Sequence, residues 1–274
     1  MKLGVYSLSL SDKKPTAVVK LALKYGCQGV EWWCKEGGSH IDTANLESTA
    51  RKVAGLMRKS GLETIGLAPY FKFGETPEHL KPVFAAARTI GAVNIRSHSF
   101  DFNGEVPVAE LMRKQRRWLE ESVVPTAEQF GVRLVIEQHH YNICCTPNAC
   151  RQLVDGLPPE RVGVIFDPGN SQFEGYTRPA YAISVLGRYL AHVHVKSCRP
   201  VRKMTGDSVP QARKYPMFWG TLSKGDLDWE LIIAELHKAG YQGYLSLEAL
   251  DARKSNRKMQ EDIPYLESIL KKYR

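Results

Sequence analysis

Short apolar runs alternate with stretches of helical periodicity along the chain. Leu3 to Ser7 is β-rich; Thr16 to Tyr25 has apolar residues at helical spacing and stops at Gly26, a helix C-cap signal. The alternation continues with strand 29–33, helix 46–59, strand 63–67, helix 77–90, strand 93–97, helix 107–130 and strand 132–137. Helix 147–155, strand 163–166, a helical stretch and strand 191–195 follow. After an irregular segment come helix 228–239, strand 243–248 and a final helix from about Ile263. Most strands follow a helix that closes on glycine, as in KYG, KSG, TIG, QFG and KAG. Unbroken alternation predicts one parallel α/β domain over residues 1–274. Eight repeats that close on themselves form a (β/α)8 TIM barrel. A doubly wound open sheet would want a glycine-rich phosphate loop after its first strand, and SLSLSDKK after Tyr6 supplies none. Arg199 to Asp226 shows little periodicity and is expected to cover the barrel mouth.

Composition narrows the classes. At 43% hydrophobic the chain can bury a large core, yet it has no apolar run of the roughly 18 residues a membrane span needs. MKLGVYSLSLSDKKP lacks a small-residue cleavage site and reads as a first strand rather than a signal peptide. The six cysteines have no CxxC spacing, so free thiols in a reducing cytoplasm are expected. The net charge of +9 is scattered, and RKQRR at 113–117 lies on a predicted helix as a solvated face. Nucleic acid is therefore not the expected partner, and an anionic small substrate suits the charge equally well.

Candidate chemistry sits where strands end, as catalytic groups of barrels do. Those positions are Glu31, His98, Glu137 with His139 and His140, Asp167 with Asn170, His194 with Lys196, and Glu248. Each alone is a weak signal. LVIEQHH, VIFDPGN, HVHVKS and LSLEAL, however, place an acid or histidine at the ends of four consecutive strands. Converging them in one mouth is costly unless a metal or substrate satisfies them. Three carboxylates and one imidazole suit one divalent ion, Mn²⁺ first, with Mg²⁺, Co²⁺, Fe²⁺ or Zn²⁺ also admitted. Such an ion would polarise a carbonyl or acidify a bound water.

At these residues the chain resembles the sugar phosphate isomerase/epimerase family, the xylose isomerase-like TIM barrels. GVEWW, LVIEQH, GVIFDPGN, HVHVKS, GTLSKGDLDW and GYLSLE stand in the family's order along nearly the full length. The resemblance implies a metal quartet of Glu137, Asp167, His194 and Glu248. It implies an isomerase or epimerase of a sugar or sugar-like hydroxyketone, working through a metal-stabilised enediolate with Glu137 and Glu248 as acid–base pair. Three departures matter. The epimerases carry a histidine where Asn170 stands and a second glutamate where Ile143 stands. The further ligands of endonuclease IV-like members find no match. Glu-x-His at the end of the fifth strand also occurs in dehydratases acting on 3-dehydroshikimate or keto-inositols, which makes His139 a candidate base. A metal-dependent lyase is thus the alternative reading. A sugar-binding barrel without chemistry is another, disfavoured because all four ligand positions are filled.

The remaining candidates belong to substrate binding. Lys196 shares the parity of His194, Arg199 is a candidate anion clamp, Glu31 could bond a substrate hydroxyl, and His98 and Asn170 could line the pocket. Trp32, Trp33 and Trp219 could wall a sugar face or simply pack. His192 is expected to be structural, facing the helices or the layer below the metal. The expected partner is a small polyol or sugar, with no membrane; exposed helices on such barrels leave room for a homo-oligomer.

Overall fold

The computed structural model describes residues 1–38, 40–69, 71, 74–200 and 217–274. Strands β1 (Lys2–Tyr6), β2 (Gly29–Trp33), β3 (Glu63–Ala68), β4 (Asn94–Ser97), β5 (Arg133–Glu137), β6 (Val162–Phe166) and β7 (Leu190–Val195) lie in sequence order round a barrel. A short antiparallel ribbon of β8 (Cys198–Pro200) and β9 (Met217–Trp219) follows, and β10 (Tyr244–Leu247) closes the barrel. Every barrel pairing is parallel, and Leu3 opposite Leu245 with Val5 opposite Leu247 makes the final seam.

Helices α1 (Pro15–Lys24), α2 (Leu46–Ser60), α3 (Pro77–Ile90), α4 (Val108–Trp118), α5 (Val124–Phe130), α6 (Pro147–Val154), α7 (Pro168–Ser171), α8 (Pro179–Leu186), α9 (Trp229–Lys238) and α10 (Ser255–Leu270) connect the strands. Gly61 and Gly91 close α2 and α3 at φ +73°, a left-handed turn that a side chain rarely adopts.

Strand parity separates two interiors. Leu134 and Ile136, Val164 and Phe166, Val193 and Val195, Leu245 and Leu247 belong to the apolar layer between barrel and helices. The opposite parity carries Arg96, Glu137, His192, His194 and Ser246 into the barrel, all buried. Trp32 falls on the apolar parity and is fully buried in that layer, so it does not wall the mouth.

Two elements differ from expectation. α10 begins at Ser255, not near Ile263. Its first turns do show the helical i, i+3, i+4, i+7 stripe, but polar Ser255, Lys258 and Asp262 carry it beside Met259, so hydrophobicity does not reveal it. The long helix over 107–130 is α4 and α5 joined by a π turn at Leu119–Val123, just before Pro125, whose ring removes a backbone donor. Of the irregular segment, β8, β9 and a 3-10 turn at Leu222–Lys224 are described, while 201–216 lie outside the described residues. The six cysteines are free. Among the described residues no helix is long and apolar enough to cross a membrane.

Candidate metal centre at the barrel mouth

β5 ends in Glu137, β6 runs into Asp167, β7 carries His194 and β10 runs into Glu248. One donor atom from each of the four lies within 4.8 Å of the others, and all four side chains are buried. His194 Nδ1 stands 3.1 Å from Glu137 Oε1, 3.3 Å from Glu248 Oε2 and 3.8 Å from Asp167 Oδ2.

Three carboxylates buried together require positive charge. Lys196 Nζ lies 2.7 Å from Asp167 Oδ2 and 2.5 Å from Glu248 Oε2. Gly169 makes room for that lysine: a Cβ there would stand 2.7 Å from Lys196 Cδ. Arg96, on β4, donates from Nε to Glu137 Oε2 at 2.8 Å and presses Nη2 on the same oxygen. Burial alone would raise the pKa of Glu137, but Arg96 and then His194 hold it well below the usual carboxylate range. For Glu248, Lys196 and His194 outweigh burial and bring it to about 2. Among the described residues Glu248 Oε2 nonetheless accepts no aligned hydrogen bond, although the Lys196 ammonium lies against it. A divalent ion held by the quartet would satisfy that oxygen, and the three-carboxylate, one-imidazole donor set suits it. The residues present therefore fit the ion that the fold family implies.

The layer beneath orients the histidine. Glu31 Oε2 lies 3.1 Å from His194 Nε2 and 3.1 Å from His192 Nε2, and accepts from Ser246 Oγ at 2.9 Å. A carboxylate can only accept, so Nε2 of His194 carries a proton toward Glu31 and Nδ1 faces the quartet, an arrangement typical of metal-bound histidine. Tyr6 stacks on the His194 ring at 5.7 Å. Glu31 is thus placed below the ligands with both oxygens facing imidazole, not facing the mouth. His192 shares this lower layer, one of its two expected positions.

The side wall is made of imidazoles. His139 Nδ1 lies 2.8 Å from the His140 carbonyl and 3.2 Å from Asn142 Oδ1. The Asn142 amide nitrogen donates to Ser99 O, which turns its oxygen to His139. Both neighbours are acceptors, so Nδ1 bears the proton and Nε2 keeps its lone pair. His98 Nε2 lies 2.6 Å from Arg96 Nη2, which can only donate, and 3.1 Å from Glu137 Oε2. Burial, then the Arg96 charge, lowers the His98 pKa, keeping the ring neutral. His98, His139, His140 and Phe173 stack successively at 4.8, 4.2 and 3.7 Å.

Asn170 is buried among the ligands. Its amide nitrogen donates to Asp167 Oδ2 at 2.9 Å, to Gln138 O at 3.1 Å and to Glu137 Oε1 at 3.3 Å. Its oxygen faces His140 Nδ1 and the Lys196 ammonium. Lys196 also lies 5.9 Å from the Trp219 ring centre. Arg199 is carried on β8 with its side chain exposed. Arg96 escaped the sequence reading. The available signal was alternation in NIRS, where Ile95 faces the apolar layer and Asn94 and Arg96 face inward, both buried.

The xylose isomerase-like TIM barrel family model matches residues 19–269. The chain belongs to that family. It is 32% identical over 130 residues to the rhizopine catabolism protein MocC of Rhizobium meliloti, covering 44% of this chain and 38% of that protein. It is 26% identical over 185 residues to inosose dehydratase of Clostridium perfringens, covering 63% of this chain and 61% of that protein. The chain thus spans less than two thirds of the length of either curated relative. Among solved structures, IOLI protein with a bound zinc atom is similar at TM-score 0.78 and 14% identity, covering 100% of this chain and 99% of that one. A D-tagatose 3-epimerase-like protein is similar at TM-score 0.75 and 18% identity, over 100% and 98% of the chains. The probable 3-DHS dehydratase AsbF of Bacillus anthracis follows at TM-score 0.72 and 16% identity, over 95% and 98%. At these identities the solved structures speak for the fold.

Proposed function

We propose that this protein is a divalent-metal-dependent lyase that removes water from a cyclic hydroxyketone of the keto-polyol class, with His139 as the base. The observation that carries this reading is the commitment of His139 Nδ1 to two acceptors, which leaves the Nε2 lone pair uncommitted on a residue that groups with Glu137 of the quartet. The glutamates are less suited to take a proton from carbon, because Arg96 occupies Glu137 Oε2 and Lys196 lies against Glu248 Oε2. Relatives that include an inosose dehydratase support the substrate class.

A divalent ion on Glu137, Asp167, His194 and Glu248 would polarise the substrate carbonyl and acidify the adjoining C–H. His139 takes that proton, the hydroxyl on the next carbon departs with it as water, and a conjugated double bond remains. Lys196 and the Arg96–Glu137 pair hold the ligand oxygens in place during the transfer. Mn²⁺ is the ion proposed first, and zinc in a fold neighbour makes Zn²⁺ the first alternative.

Incubation with keto-inositols, 3-dehydroshikimate and ketoses, read by mass spectrometry, tests this. Loss of one water with wild type, abolished in His139→Asn with metal retained, is the expected result. An epimerase remains the second reading because Glu137 and Glu248 flank His194 Nδ1 at 3.1 and 3.3 Å. A mass-neutral product with solvent deuterium at carbon, insensitive to His139→Asn, would replace the first reading by the second.

A further inference from the structure

Glu137 turns its two oxygens to two different sides. Oε1 faces His194 Nδ1 and Asn170 Nδ2, on the quartet side. Oε2 faces the other way, 3.1 Å from His98 Nε2. His98, Glu137 and His139 together form a second group whose donor atoms lie within 4.8 Å of one another. Two imidazoles and a carboxylate shared with a neighbouring site are an ordinary ligand set for a divalent ion.

A cation already stands there. Arg96 is buried and reaches two of the three members, Glu137 Oε2 through Nε at 2.8 Å and His98 Nε2 through Nη2 at 2.6 Å. These are the lone pairs a metal ion would take. The charges point the same way. Glu31, Glu137, Asp167 and Glu248 are buried acids, and Arg96 and Lys196 are buried bases among them. With His194 neutral as a ligand, two negative charges remain, which one divalent ion balances; without the Arg96 charge three remain, more than one divalent ion balances. We propose that Arg96 holds the place of a second divalent cation at this centre, and that removing it opens a metal site on His98, Glu137 and His139.

The inference rests on reading the quartet as a metal centre. Its test is metal stoichiometry after loading with Mn²⁺ and gel filtration, by elemental analysis, with electron paramagnetic resonance for coupled ions. Wild type is expected to hold about one ion per chain and Arg96→Gln about two. The second ion is expected to vanish in Arg96→Gln/His139→Ala, and Arg96→Lys, which keeps a cation, to stay at one. Two ions in wild type, or one in an Arg96→Gln protein that melts cooperatively, would overturn the inference and leave the quartet standing. Loss of every ion in Arg96→Gln would also overturn it, since Arg96 would then support the first site. No ion in any variant would sink the metal-centre reading itself.

Discussion

Around Arg253, on the loop before α10, three carboxylates meet one guanidinium, and each of their oxygens accepts an aligned hydrogen bond. Arg253 Nε and Nη2 bond Asp251, Nη1 bonds Glu261 Oε2 and Nη2 bonds Asp262 Oδ2. The Leu222 amide and Arg257 cap the oxygens that remain. At the barrel mouth three carboxylates also meet basic groups, but among the described residues Glu248 Oε2 has no aligned donor. Similar groups therefore yield a lock in one place and a candidate ligand site in the other. The difference lies in what meets each oxygen: the Arg253 cluster is closed by aligned hydrogen bonds, whereas Glu248 Oε2 is met by the Lys196 ammonium without one, a position that a cation held by the quartet could share. The lock staples Gly220 to Leu222 against α10, just after the ribbon that follows His194.

Substitutions can break this contrast in graded ways. Asp167→Ala should take metal content from about one ion per chain to near zero, read by elemental analysis, while Arg253→Met keeps its ion. His139→Asn should lower kcat by about 10²–10⁴ with metal content unchanged, measured on whichever dehydration substrate the screen yields. Arg253→Met should cost roughly 2–3 kcal/mol in urea melts, below the fully buried case because Glu261 is partly solvated. Loss of metal without loss of stability would reverse the two assignments.

Acid should reach the lock through Glu261, whose pKa is held at about 2 by hydrogen bonds from Arg257 and then Arg253. Its folded value lies below the ordinary 4.5, so its contribution is complete above that value and is lost as pH falls toward about 2. The stability difference between wild type and Glu261→Gln should shrink over that window; a difference independent of pH would show that the ion pairs carry none of it. The smallest effect expected is Thr221→Val, which removes one of two donors to Glu261 Oε2 and should lower the melting temperature less than either substitution of Arg253 or Glu261.

Much of the fold was legible in the chain. Short apolar runs alternating with glycine-closed helices marked the barrel, because each follows from local geometry repeated many times. The quartet was legible because each member follows an apolar strand, where chain direction alone puts it at the mouth. α10 was half hidden because its buried stripe is polar, and burial of Lys258 and Asp262 depends on Ser9, Ala249 and Arg253, which are remote in sequence or on another element. Glu31 was read as a strand-end group that could bond a substrate hydroxyl; the structure turns its side chain beneath His194, on a strand whose pairing with β3 shifts register at Val30/Glu31.

The amino-acid sequence by itself determined the order of elements, the inward parity and the four groups at the ends of β5, β6, β7 and β10. Tertiary structure decided what each group faces. Arg96 meets Glu137, Lys196 bridges Asp167 and Glu248, and Glu31 holds His194. Parity tells which side of a strand a residue takes, whereas the depth at which side chains from different strands meet is set by the stagger of a closed barrel.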